Sequence, residues 1–319
     1  MHLLWRNLLK VSPDIPLQSI FKASSDQAQE LNRVTNYFFW AAGFILLVVA
    51  ILTAYMLYRF REKNANAQKT LSTRWEVLMI GVPSVMVAVF LYFSIVTMNH
   101  VQSAVKNAQP DVVITGHQWW WEASYTGTGV KTANEIHLPA GKRLLLKLLS
   151  DDVIHDWWIP ALGNKMDMVP TQENYLWVTI KEPGIYYGAC SEFCGPQHAH
   201  MRIKVIAEKE DQFNKWLTVL QEPALQGPEL ISGQKLFMSK TCANCHRING
   251  TSAQGTTGPD LTHLAGRSTL LAGLINNNVE NLERFIRDPQ KIKPESRMPE
   301  FLLDDTTIKA IATYLYSLK

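Results

Sequence analysis

The chain has 319 residues, with 31 Lys and Arg against 28 Asp and Glu, a net charge of +3 and four cysteines. This near-neutral balance gives no electrostatic footprint for nucleic acid, and the length suits about two domains with additions. The 47% hydrophobic content is that of an average soluble protein, but the apolar residues are concentrated in particular stretches.

The first of these, "MHLLWRNLLKV", is interrupted by Arg6, Asn7 and Lys10. It lacks the continuous apolar centre of a secretory signal and predicts an amphipathic helix on a membrane surface. "YFFWAAGFILLVVAILTAYMLY", Tyr37 to Tyr58, has about 22 uncharged residues, and "WEVLMIGVPSVMVAVFLYFSIVTM", Trp75 to Met98, carries only Glu76. Each run is long enough to cross ~30 Å of hydrocarbon as a helix. Neither has a polar face, as the core helix of a soluble protein would. Tyr37, Tyr58 and Trp75 stand where interfacial aromatic belts lie, and Pro83 is expected to bend the second span. The loop between them, "RFREKNANAQKTLSTR", sets Arg59, Arg61, Lys63, Lys69 and Arg74 against Glu62. Short basic loops stay in the cytoplasm, so both chain ends and everything after about residue 100 are expected outside it.

Beyond residue 110 the pattern changes to short β-rich runs: "DVVITGHQWWWEASY", "EIHLPAGKRLLLKLLS", "NYLWVTIKEPGIYYGA" and "MRIKVIAE". Their spacing and turn residues predict a sandwich or small barrel. "EDQFNKWLTVLQEPALQGPELISG" reads as a helix running into a Pro/Gly-punctuated linker. From about residue 229 the pattern is helical, with Asp304 or Asp305 as cap of the last helix.

Two clusters carry chemistry. "CANCH", Cys242 to His246, has the C-x-x-C-H form of covalent c-type haem attachment. Cys242 and Cys245 would form thioethers and His246 would bind the iron. A thioredoxin-like pair would need a βαβ setting, and a zinc site would need two further ligands nearby. Met298, in "SRMPEF", is placed far enough along the chain to reach the opposite haem face, while Met238 is read as core. Met/His ligation leaves no open position and suits electron transfer. The stretch "GPDLTHLAGR" is similar to class I cytochromes c, in which a proline carbonyl receives the axial histidine's N–H. Here that is Pro259, and His263 is not expected to be a ligand.

The other cluster, "GACSEFCGPQHAHM", holds Cys190, Cys194, His198, His200 and Met201. One Cys with two His and a weak Met makes a mononuclear copper site. A second thiolate allows two bridged coppers, each capped by an imidazole, with His155 of "DDVIHDWWIP" as the second histidine. A disulfide between Cys190 and Cys194 is the alternative in an extracytoplasmic domain, but it leaves the histidines and methionine without a role.

From about residue 30 onward the chain resembles subunit II of a haem–copper cytochrome c oxidase of the kind with a fused cytochrome c (caa3-type). The resemblance is carried by the helix hairpin, "GHQWWWEASY", "VIHDWWIP", "PGIYYGACSEFCGPQHAHM" and the haem motif. It implies a membrane-anchored multidomain fold: a two-helix transmembrane hairpin, a cupredoxin-like β-barrel or sandwich, and an all-α class I cytochrome c domain. The implied division is a leader at 1–34, the hairpin at 35–100, the copper domain at 101–208, a helix and linker at 209–228, and the cytochrome c domain at 229–319.

The resemblance also implies roles for individual residues. The dinuclear copper (CuA) ligands are His155, Cys190, Cys194, His198, Met201 and the backbone carbonyl of Glu192, with His198 preferred to His200 by its spacing. The Glu192 side chain would hold a Mg2+ shared with subunit I; hard oxygen for magnesium and soft sulfur for copper is the expected division. Trp119 would lie between the electron donor and the copper, with Trp120 on the opposite face and both Trp120 and Trp121 read as core. Glu76 would stand at a proton entrance, although Met79 replaces a tryptophan usual there. Thr171 replaces a usual Pro-Gly turn, and Lys165 and Asp167 match a charged pair beside subunit I.

The implied function is the electron-input subunit of a proton-pumping terminal oxidase in the bacterial cytoplasmic (inner) membrane. Electrons from an extracytoplasmic donor, cytochrome c or a quinol:acceptor complex, would pass from haem c to CuA and on to subunit I, where O2 is reduced to water. Two alternatives stay open: a CuA-bearing subunit of a nitric oxide reductase, and a stand-alone membrane-anchored electron carrier.

Overall fold

The computed structural model describes residues 19–61, 72–102, 108–224 and 230–319. The amphipathic leader helix expected at residues 1–11, most of the basic loop and the centre of the 222–230 linker lie outside the described residues.

Two long helices come first: α1, Asp26–Arg59, and α2, Thr73–Val101. In hydrocarbon every backbone polar group must be satisfied within its own helix. The hydroxyls follow suit, since Ser84 and Ser94 donate back to the carbonyls of Ile80 and Phe90 at 2.8 Å. α1 starts eleven residues ahead of Tyr37 because the polar segment before the apolar run is itself helical. α2 runs unbroken through Pro83. Phe38 and Phe90 meet edge-on, ring centroids 6.2 Å apart, and join the hairpin. Both helices turn large apolar side chains outward along their length, as a membrane anchor does.

The next ten strands are β1 (Val112–His117), β2 (Trp120–Tyr125), β3 (Lys131–Ala133), β4 (Glu135–Pro139) and β5 (Arg143–Ser150), then β6 (His155–Trp158), β7 (Met166–Met168), β8 (Asn174–Thr179), β9 (Gly184–Cys190) and β10 (Arg202–Glu208). They form two five-stranded sheets, ordered β3-β2-β1-β5-β8 and β4-β10-β9-β6-β7. Among the described residues only β1/β5 and β4/β10 pair in parallel. Alternation makes one core of the two inner faces: Ile114, Leu144, Leu146 and Leu148 from one sheet meet Ile203, Val205 and Ile136 from the other. Three of the β-rich runs each supply two strands, and in two of them the two strands go to different sheets. "DVVITGHQWWWEASY" is the hairpin β1/β2, with His117 opposite Trp120 and a cis peptide at Gln118–Trp119.

Helix α3, Glu210–Gln221, leads to a helical domain of α4 (Ile231–Ser239), a small β11/β12 hairpin (Thr269–Leu270 and Ile275–Asn276), α5 (Val279–Arg287), α6 (Pro289–Ile292) and α7 (Asp305–Ser317). Its core gathers Phe237, Ile248, Leu282, Ile286, Ile308 and Tyr314, with Met238 packed against it. Asp304 caps α7, its carboxylate accepting from the Thr307 N–H at 2.9 Å. The β and helical domains belong to one compact unit.

Candidate copper and haem centres

β9 ends at Cys190, beside β6, which begins at His155. The chain then turns through a short loop and a helical turn at His198–His200 before β10, so Cys194, His198 and Met201 come back over the same strand ends. The ligand atoms of His155, Cys190 and Cys194 all lie within 4.8 Å of one another. The two sulfurs are 3.8 Å apart; His155 Nδ1 is 3.9 Å from Cys190 Sγ, and His198 Nδ1 is 3.6 Å from Cys194 Sγ. Met201 Sδ lies 3.8 Å from Cys194 Sγ, and the Glu192 carbonyl accepts from Cys190 Sγ at 3.2 Å. Six soft or neutral donors thus converge on one buried point. His200 turns away to Gln197, 2.8 Å off.

Burial makes this pocket responsive to charge. Contact with the Cys194 sulfur and with His155 holds the Cys190 thiol far below its ordinary range; the same contact and burial push Cys194 up. His155 is turned correctly by Asp152, whose Oδ1 accepts from Nε2 at 2.9 Å and leaves Nδ1 toward the sulfurs. Against burial, Asp152 and Cys190 hold the His155 pKa above its usual value. The Glu192 side chain is exposed at the surface beside this cluster. Asp167 faces Asp156 across β6/β7, and burial together with this neighbour pushes Asp156 up to about 7.

In the helical domain, Cys242 opens a short helical turn and Cys245 and His246 follow it. His246 Nδ1 donates to the Pro259 carbonyl at 2.8 Å, the bond expected from the cytochrome c resemblance, and Nε2 remains for a metal. Gly258 is required here, because a Cβ would sit 2.6 Å from the His246 ring. Two adjoining cavities share Cys242, His246, Pro259, Phe285, Met298 and Phe301 as lining. Thiols, an oriented imidazole and a thioether around an apolar cavity fit a covalently held haem. His263 instead bonds the Glu222 carbonyl at 3.0 Å.

The larger cavity is also lined by Gln118, Trp119 and Trp120 of the β domain. Trp119 is buried, and its indole N–H donates to the Cys194 carbonyl at 2.9 Å. Gly195 permits that approach: it holds φ +117°, and a Cβ there would stand 2.9 Å from the Trp119 ring. Trp121 is core, 0% exposed, but Trp120 is not. The tight β1/β2 turn points it off the inner face, where it stacks on His117 with centroids 4.2 Å apart and borders the cavity. Glu76 lies in the first turn of α2 and belongs to the other unit.

Sequence reasoning missed Glu135, Asp152, Lys293 and Arg297, which join the domains or orient His155. Asp152 and Arg297 stand in the stretches that carry His155 and Met298, but Glu135 and Lys293 lie in no motif. Lys293 is buried, donating to the Trp119 carbonyl at 2.6 Å and the Leu271 carbonyl at 3.1 Å. Burial pushes its pKa down to about 7, with the Cys194 sulfur pulling the other way.

Residues 128–208 match the family of the cytochrome c oxidase subunit II periplasmic domain, and residues 231–319 match the cytochrome c family. Cytochrome c oxidase subunit 2 of Bacillus sp. strain PS3 is 31% identical over 278 residues, 81% of this chain and 76% of the relative. The Alkalihalophilus pseudofirmus subunit 2 is 36% identical over 211 residues, 65% of this chain, which spans 61% of that relative's length. Among solved structures, the periplasmic domain of subunit II of cytochrome oxidase from Bradyrhizobium japonicum is 28% identical. It covers 37% of this chain and 97% of its own, with a TM-score of 0.35. Sulfur cluster, haem cavity and the match along four-fifths of the chain agree: it belongs to the cytochrome c oxidase subunit 2 family, in the form that carries a cytochrome c domain.

Proposed function

We propose that this chain is the electron-input subunit of a proton-pumping haem–copper oxidase, taking single electrons from an extracytoplasmic donor toward subunit I, where O2 is reduced. Cys242 and Cys245 would tether the haem, and His246 and Met298 would bind its iron. His155, Cys190, Cys194, His198, Met201 and the Glu192 carbonyl would hold the copper pair, and the exposed Glu192 carboxylate would offer a magnesium ion its share of a site completed by subunit I. When bound, haem and copper supply reversible one-electron chemistry. The chain's own residues hold that chemistry in place. Pro259 fixes the His246 ring, Asp152 fixes the His155 ring, and the buried strand ends keep water from the sulfurs.

One observation carries the reading. Trp119 borders the haem cavity on one side, and its indole N–H is bonded to the Cys194 carbonyl on the other. A single side chain therefore spans from one centre to the backbone of the next. Glu76 at the start of α2 would serve proton entry, and the basic loop would place both chain ends outside the cytoplasm.

The test is purification of the intact chain from native membranes. Two coppers and one iron per polypeptide are expected, together with a haem–copper catalytic subunit that turns over O2. Turnover of NO in place of O2 would identify a nitric oxide reductase. Recovery without a catalytic subunit would identify a free-standing carrier.

A further inference from the structure

The helical domain meets the β domain through polar groups that are themselves buried. Glu135, the first residue of β4, is 3% exposed. Its carboxylate accepts from the backbone N–H groups of Ser268 and Thr269 at 2.9 to 3.2 Å and from their hydroxyls at 2.6 and 2.7 Å. Lys204 on the neighbouring β10 adds an ion pair to Glu135 at 3.2 Å and donates to the Ser268 hydroxyl. Five residues further along the same segment, the Gly273 carbonyl accepts from Arg202 at 3.3 Å. Between these points Leu271 and Ala272 both take a left-handed backbone, φ 58° and 60°, which costs non-glycine residues free energy and persists only where surroundings enforce it. The Leu271 carbonyl receives Lys293, whose other bond is to the Trp119 carbonyl of the β domain. At the opposite rim Arg297, next to Met298, reaches Asp152 at 3.2 Å.

We propose that residues 268–273 form a docking clasp, with Glu135 and Lys293 as its positioning residues, that holds the haem cavity fixed against Trp119 rather than leaving the helical domain free on its linker. The proposal rests on the function assigned above for its purpose, though not for its contacts. A buried carboxylate with four hydrogen-bond donors, or a buried ammonium bridging two domains, is stable only while those partners stay in place, since either group left unpaired in an apolar setting is costly. The clasp therefore makes docking close to all-or-none. It also fixes the approach of the haem cavity to Trp119, because two buried side chains, Glu135 and Lys293, grip main-chain atoms across the contact.

Glu135→Gln and Lys293→Met, each made in the full-length, metal-loaded protein, test this. Amide hydrogen exchange at Ser268, Thr269 and Leu271 to Gly273 should speed up by about tenfold or more, while α7 and β9 keep their protection. In Glu135→Gln, electron transfer from haem to copper after flash reduction should slow by about the same factor, with iron and copper content and both midpoint potentials unchanged. Lys293 itself lines the haem cavity, so Lys293→Met is read by amide exchange. A group that merely supported either centre would move the potentials or the metal content instead. If Glu135→Gln does not accumulate, amide exchange in Lys293→Met decides, because methionine keeps the apolar stem and removes the ammonium together with its two hydrogen bonds. Unchanged exchange in a folded variant overturns the clasp. Failure of the unaltered chain to hold iron or copper would defeat the functional reading separately, since amide exchange does not depend on it.

Discussion

At the scale of single residues, chemistry is assigned by which atom of a side chain is left over. His246 uses Nδ1 on Pro259 and His155 uses Nε2 on Asp152, so each presents one ring nitrogen to its centre. His200, set aside on spacing, and His263, set aside because Met298 takes its role, have their bonding nitrogens turned to Gln197 and to the Glu222 carbonyl. Met298 lines both haem cavities. Met298→Leu keeps the shape and removes the sulfur, so the haem should stay covalently attached while its midpoint potential falls, as redox titration at the Soret band would show. An unchanged potential would exclude Met298 as the axial ligand. Cys190, Cys194, His198 and Met201 were legible because their side chains stand within one short stretch. Asp152 was not, because Asp151 and Asp156 flank His155 as well and only the fold decides which carboxylate meets its ring.

At the scale of elements, what matters is how closely strands approach beneath the sulfur cluster. β9 lies against β6 with Gly188 facing the Trp158 carbonyl, and a Cβ there would stand 2.2 Å from that oxygen. Backbone cannot yield as a flexible side chain can. Gly188→Ala should therefore cost about 3 kcal/mol and loosen the strand end that carries Cys190. A lowered thermal midpoint together with partial copper loss would show this; retained stability would mean the sheet gives way more readily than its packing suggests. Strand existence was legible from alternation, but the division of "DVVITGHQWWWEASY" into β1 and β2 was not. No glycine or proline marks the turn at Gln118–Trp119, and only pairing of His117 with Trp120 places it there. That turn is also why Trp120 leaves the core and borders the haem cavity.

At the scale of the molecule, the soluble part is joined by charge. Burial alone would raise the Glu135 pKa, but the Ser268 and Thr269 hydroxyls and the Lys204 ammonium outweigh it and hold it below its usual 4.5. A carboxyl depressed in the folded state contributes stability that is complete above its unfolded pKa and is lost as pH falls through the folded value. Acidification below about 4.5 should then release the helical domain. Small-angle scattering would record this as an increase in radius of gyration that is absent in Glu135→Gln, already released at neutral pH. An identical acid profile in that variant would mean another group controls the contact.

The sequence by itself determined the chemistry and the parts: two apolar runs long enough to span a bilayer, alternating strands, C-x-x-C-H, and a loop dense in soft ligands. These are local signals, because hydropathy period and ligand spacing act over a few turns of chain. Only the tertiary structure decided which face of the β domain meets the haem cavity, that Trp119 lies between that cavity and Cys194, and that Glu135 and Lys293 join the domains. Their partners stand 133 and 174 residues away along the chain. Burial turns an ordinary glutamate or lysine into an anchor, and burial is decided by the fold around a residue rather than by its neighbours in sequence.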